Sequence, residues 1–135
     1  MAADVIRLDI VTPAGILLSE EVSAVQVPAA LGLMGILANH APLMTTLDIG
    51  AIKYTKGGQD HFLAVCGGFV EVKDNVVIVL ADAAERAEDI DVARAKAAED
   101  RAHERLSHKT KELDVARAEL ALHKALNRQK VANLK

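Results

Sequence analysis

Cysteine is nearly absent from this chain: Cys66 stands alone among 135 residues. One thiol closes no internal disulfide, so the fold must hold by packing, which suits a reducing compartment. Aromatic side chains are almost as scarce, with no Trp, one Tyr and two Phe. They leave no platform on which a single strand could stack its bases, and a formal net charge of −3 gives a polyanion no attraction. Nucleic acid is therefore set aside as a partner. No apolar run approaches the ~20 residues that cross a bilayer. The opening MAADVIRLDI does not read as a signal peptide. No direct membrane insertion is expected, and work at a membrane would require another protein to hold the chain there.

Catalytic signatures are missing too. No G-x-x-x-x-G-K-[ST] run occurs, so no P-loop cradles phosphates. His40, His61, His103, His108 and His123 show no metal-ligand pairing, and Cys66 has no Cys partner, so no metal site is expected. No nucleophile stands in a context that suggests a triad. Glu85 and Asp91 form an acid pair on paper, but neither has the apolar surroundings that would raise its pKa. The chain is not expected to be an enzyme by itself.

What is present is aliphatic: hydrophobic residues make up 51% of the chain, so Val, Ile, Leu and Ala must build the core. Alternating segments predict strands over residues 4–11, from Ile16, around Val22, Val25 and Val27, and over 43–47, 50–55, 61–65, 69–73 and 76–80. Residues 29–36 predict a short hairpin with Gly32 and Gly35 at tight positions. Gly57-Gly58 and Asp74-Asn75 read as two-residue hairpin turns, and Asn39-His40-Ala41-Pro42 as a turn before proline. Short strands with regular turns imply a β-sandwich or flattened barrel at residues 1–84. The period then changes. Residues 91–106 contain no Gly or Pro and predict a helix; a break at 107–110 precedes a second one, capped at Asp114 and running to about Ala132. The fold class is thus β followed by α: a sandwich, then an antiparallel two-helix hairpin at residues 85–135.

The hinge between the two halves is ERAEDIDVARAKAAEDRA, Glu85 to Ala102. On a helix Asp91, Ala95, Ala98 and Ala102 fall within roughly 60° of arc, with Arg94, Arg101 and Arg105 along one edge. Arg117, Lys124 and Arg128 form a matching edge on the second helix. Two rows of cations meeting across a small-residue seam repel unless an anion fills the gap. On helix chemistry alone the same pattern describes a solvated edge beside an ordinary helix contact.

Ile90, Asp91, Arg94 and Ala95 resemble the I-D-x-x-R-A signature of the ε subunit of bacterial F-type ATP synthases. The resemblance extends to Gly35–Pro42 (G-I-L-x-x-H-A-P), Gly67–Val72 (G-G-F-V-E-V) and Ala118–Arg128 (A-E-L-A-L-H-K-A-L-N-R), nearly the whole chain. It implies a non-catalytic central-stalk subunit at the cytoplasmic face of the cell membrane, coupling rotor to catalytic head in proton transport and restraining ATP hydrolysis. It implies that the β-domain grips the γ subunit and, through His40, the c-ring, and that the extended hairpin meets the α and β subunits. It further implies ATP as a regulatory ligand, with no cofactor required and the part of Mg²⁺ left open. The nucleotide residues carried over are Glu85, Ile90, Asp91, Arg94, Ala95, Arg101 and Arg128. Lys124 stands where strongly binding relatives have arginine, which implies a weaker phosphate grip. Ala38-Asn39 replaces the usual Pro-Gly before His40, and Leu33 stands where many relatives carry an acid. The rival from another class is a free-standing nucleotide sensor, separable by whether the chain co-purifies with γ.

Overall fold

Alternation of apolar and polar residues sets the first part of the chain into strands. A computed structural model describes residues 5–108 and 112–134, with the side chains of 112–114 outside the described set. In β1 (Ile6–Thr12) Ile6, Leu8 and Ile10 are buried while Arg7 is exposed, the period of a strand with one wet face. β2 (Gly15–Val22) returns antiparallel, pairing Thr12 with Gly15 and Ile6 with Val22. Val22, expected in the third strand, closes the second, and Ser23 separates it from β3 (Ala24–Ala29). β3 and β4 (Gly32–Leu37) make the expected hairpin. Gly32 takes φ 124°, but Gly35 lies within β4 opposite Gln26, without the positive φ of a tight position.

β5 (Leu43–Lys56) and β6 (Gln59–Lys73) each unite what the sequence divides into two strands. They pair from Leu43 with Val72 to Lys56 with Gln59, closed by Gly57 and Gly58 at φ 59° and 77°. Both turn residues are left-handed, as a type I′ turn requires. The break that reads as a strand end is a bend inside the ladder, where pairing passes from Leu47–Gly68 to Ile49–Cys66. A Cβ on Gly68 would run into the Leu80 carbonyl oxygen, so this bend admits only glycine there. β7 (Val76–Ala81) follows across Asp74 and Asn75, and β8 (Ala84–Arg86) is a three-residue strand on β6 that the sequence does not announce.

The strands run in the order β2-β1-β7-β6-β5-β3-β4, with β1 and β7 parallel. Lys56 reaches Glu20 at 3.4 Å and Arg86 Nη2 donates to the Leu17 carbonyl at 3.0 Å, so β5 and β8 both tie back to β2. Inside lies a cluster of buried side chains from β1 to β7, aliphatic but for Tyr54, the expected sandwich core. Alternation fails at Leu63-Ala64-Val65, where all three are buried. Leu63 and Val65 belong to the sandwich core, while Ala64 packs with Ala87, Ile90, Val131 and Ala132 on the opposite face. That face is where the helices dock.

A short 3-10 turn (Ala87–Asp89) leads into α1 (Val92–Ser107), and α2 spans Glu112–Ala132. α2 ends where expected and begins ahead of Asp114, whose capping role falls outside the described side chains; Lys109 and Thr110 also lie outside the described residues. Ala95 and Ala102 of α1 and Ala118 and Ala125 of α2 are buried, forming the seam the spacing predicts. Glu99, in the first half of α1, accepts a bond from Gln129, near the end of α2, at 2.9 Å; the helices are antiparallel. No helix among the described residues is long and apolar enough to cross a membrane.

Candidate functional site

Between β6, α1 and α2 lies a cavity of about 510 Å³. Its floor is apolar: Ile49 of β5, Ala64 and Val65 of β6, and Ala83 and Ala84 beyond β7. Its rim is charged: Glu85 of β8, Arg94 of α1, Lys124 and Arg128 of α2. An apolar floor under a cationic rim suits a ligand with a flat, poorly hydrated part and an anionic tail.

Each rim residue is held by its own local structure. Glu85 pairs with Ala64 across the β6–β8 ladder, which fixes it beside the floor. Asp91 is the N-cap of α1: its Oδ1 accepts the Arg94 N–H at 3.0 Å, fixing the first turn that carries the Arg94 side chain. Lys124 and Arg128 sit one turn apart on α2. Asn127 Nδ2 donates to the Gly50 carbonyl at 2.9 Å, fastening that turn to β5.

Arg128 meets Glu85 fork to fork, Nε to Oε1 at 2.8 Å and Nη2 to Oε2 at 3.1 Å. This corrects the expectation of two bare cationic edges. An anion already fills part of the gap, and it belongs to the chain itself. Among the described residues Arg94 and Lys124 make no ion pair.

Four expected nucleotide residues, Glu85, Arg94, Lys124 and Arg128, converge on the cavity; the other four do not. Ile90 is covered by the cluster that includes Val131, Ala95 is fully buried in the seam, and Asp91 serves as the cap. Arg101 is exposed in a separate hollow with Glu104, Arg105 and His108. The floor residues, Ala121 and Asn127 were not singled out as site residues in the sequence, and Ala98 was expected only in the helix seam. The signal for the floor was there: three consecutive small or aliphatic residues at 63–65 mean that both faces of β6 are covered.

His40 follows β4, with its Nδ1 2.7 Å from the Ala41 carbonyl oxygen. Asn39 takes φ 67°, a left-handed geometry that asparagine tolerates. Its N–H donates to Asn75 Oδ1 at 2.6 Å, pinning the loop to the β6–β7 turn. Elsewhere, the hydrogen bond from Gln129, aided by Lys96, holds the Glu99 carboxyl below its ordinary pKa. Burial, reinforced by Glu20, pushes the Tyr54 phenol above its ordinary pKa.

The family described as "ATP synthase, Delta/Epsilon chain" matches in two parts, its β-sandwich domain over residues 5–87 and its long α-helix domain over residues 88–133. The chain belongs to the ATP synthase ε-chain family. The ATP synthase epsilon chain of Desulforamulus reducens is 56% identical over 126 residues, covering 93% of this chain and 96% of the relative. That of Bacillus pumilus is 48% identical over 127 residues, covering 94% and 96%. Among solved structures, a chain of the Euglena gracilis mitochondrial ATP synthase superposes with TM-score 0.82 at 27% identity, over 98% of this chain and 82% of that one. A Tetrahymena thermophila mitochondrial ATP synthase chain shares the fold at TM-score 0.65 and 11% identity. As an ε chain the protein is a non-catalytic subunit of an ATP synthase.

Proposed function

We propose that the chain is a central-stalk subunit whose helical hairpin is a switch on ATP hydrolysis, folded against the β-domain when ATP occupies the cavity. The observation that carries this reading is the cavity: an apolar floor with Arg94 on one helix and Lys124 and Arg128 on the other. A ligand whose phosphates engage both helices binds the folded hairpin and not the extended one, so it shifts the equilibrium towards the folded form. The base rests on the floor, and the phosphates run along the rim. Arg101 lies seven residues beyond Arg94, about 10 Å along the helix axis, and meets only the far end of the tail. The β-domain holds γ, and the His40 loop meets the c-ring. The hairpin, when extended, enters the ring of α and β subunits at the cytoplasmic face of the membrane and opposes rotation in the hydrolytic direction.

Calorimetric titration of the full chain with ATP, with and without Mg²⁺, tests the ligand. The expected result is one site per chain and a melting temperature that rises with ATP concentration. No heat and no shift at millimolar ATP would overturn the nucleotide reading.

A further inference from the structure

The Glu85–Arg128 pair is the one ion pair that joins the hairpin to the sheet among the described residues. It is two-pronged, at 2.8 and 3.1 Å, and both side chains are partly covered, at 26% and 33% exposure. It also stands on the cavity rim. A planar guanidinium offers one fork of this kind, and a carboxylate and a phosphate oxygen pair compete for the same N–H groups. We infer that Glu85 is a built-in counter-ion that occupies Arg128 until the phosphates of an incoming ligand replace it. This rests on the proposed anion-binding reading of the cavity and adds its mode of regulation.

The arrangement has two consequences. In this structure the pair latches α2 to β8, beside the Asn127–Gly50 bond that fastens the same turn to β5. To engage Arg128 the ligand must part the fork, and a carboxylate then remains beside its phosphates. Arg94 and Lys124, which have no ion-pair partner among the described residues, therefore make the first contacts, and Arg128 joins only by exchange. Glu85 holds the empty hairpin in place while lowering the anion affinity of the site.

The test uses inorganic triphosphate as the probe, on the full chain, followed by the Arg128 side-chain Nε–H resonance. In the wild type that resonance moves on saturation, as the partner of the guanidinium changes. Glu85→Gln, which keeps the shape and removes the charge, should bind triphosphate tighter by on the order of fivefold. A general loss of negative charge would produce a similar gain, so the decisive arm is a double-mutant cycle. In an Arg128→Lys background, which retains the charge but not the fork, the gain from Glu85→Gln should fall below about twofold. A gain that persists undiminished there overturns the exchange, as does weaker binding by Glu85→Gln alone or an Arg128 resonance that never moves. Failure of the nucleotide reading is seen separately, as triphosphate binding that ATP does not share.

Discussion

At the scale of single residues, position on the rim orders the expected effects of substitution. Arg94 has no ion-pair partner among the described residues and opens onto the cavity, while Arg101 is exposed further along α1. A charge-assisted hydrogen bond to phosphate contributes about 1.5–3 kcal/mol. Arg94→Ala should therefore weaken ATP binding at least tenfold in a calorimetric titration, and Arg101→Ala by clearly less. Lys124→Arg should strengthen binding, because a fork replaces a point charge. Equal losses for the two arginines would mean that the ligand lies further along the seam than the cavity does. Backbone geometry gives an independent prediction. Gly57, φ 59°, has open space around it, whereas a Cβ on Gly68 meets the Leu80 carbonyl. Gly68→Ala should cost several kcal/mol and Gly57→Ala about 1 kcal/mol in chemical denaturation. The difference between these glycines was not legible in the sequence, where both stand in identical Gly-Gly pairs. The partner of Arg128 was equally hidden, because Glu85 lies 43 positions away and nothing local couples them.

At the scale of elements, the helices hold each other through small residues and, among the described residues, one bond between side chains of α1 and α2. Buried alanines contribute little area each, so at ~25 cal/mol per Å² the seam is weak. Gln129 to Glu99 is that bond, and the same carboxylate accepts from Lys96 at 3.4 Å and lies 3.3 Å from His103 Nε2. Since the folded pKa of Glu99 is depressed, its contribution is present above the ordinary carboxylate value and is lost as pH falls through the folded one. Amide protection factors in α1 and α2, taken relative to intrinsic exchange at each pH, should fall below about pH 4.5, while those of the β-strands hold. In Gln129→Ala the acid-dependent step should shrink. The elements themselves were largely readable, because alternation and an alanine-rich, glycine-free run each report a period directly. Two features were not. Asp48 and Gly67–Gly68 interrupt the pattern inside β5 and β6, so one bent ladder reads as four strands. β8 is too short to show any period, although it places Glu85.

At the scale of the molecule, the sheet and the hairpin are held by different kinds of contact. The sandwich closes on its own aliphatic core, with large side chains such as Ile10, Ile52 and Leu63 fully buried. Among the described residues the hairpin is held to the sheet by Val131 and Ala132 packing with Ala64 and Ala87, by one side-chain bond to Gly50 and by the Glu85–Arg128 pair. A partly exposed ion pair contributes about 1 kcal/mol at most, so release of the helices leaves the core intact. We therefore expect residues 1–87 alone, which keep β8 and its Arg86–Leu17 bond, to retain a sheet spectrum, a cooperative melt and binding to γ. A fragment ending at Ala84 loses that bond and should melt lower. If the hairpin is the brake, an ATP synthase assembled with the 1–87 fragment should hydrolyse ATP at least as fast as the intact enzyme and still synthesise it. Slower hydrolysis in a fully assembled complex would instead make the hairpin a part of the coupling path, and the weak docking seen here would then serve assembly rather than control.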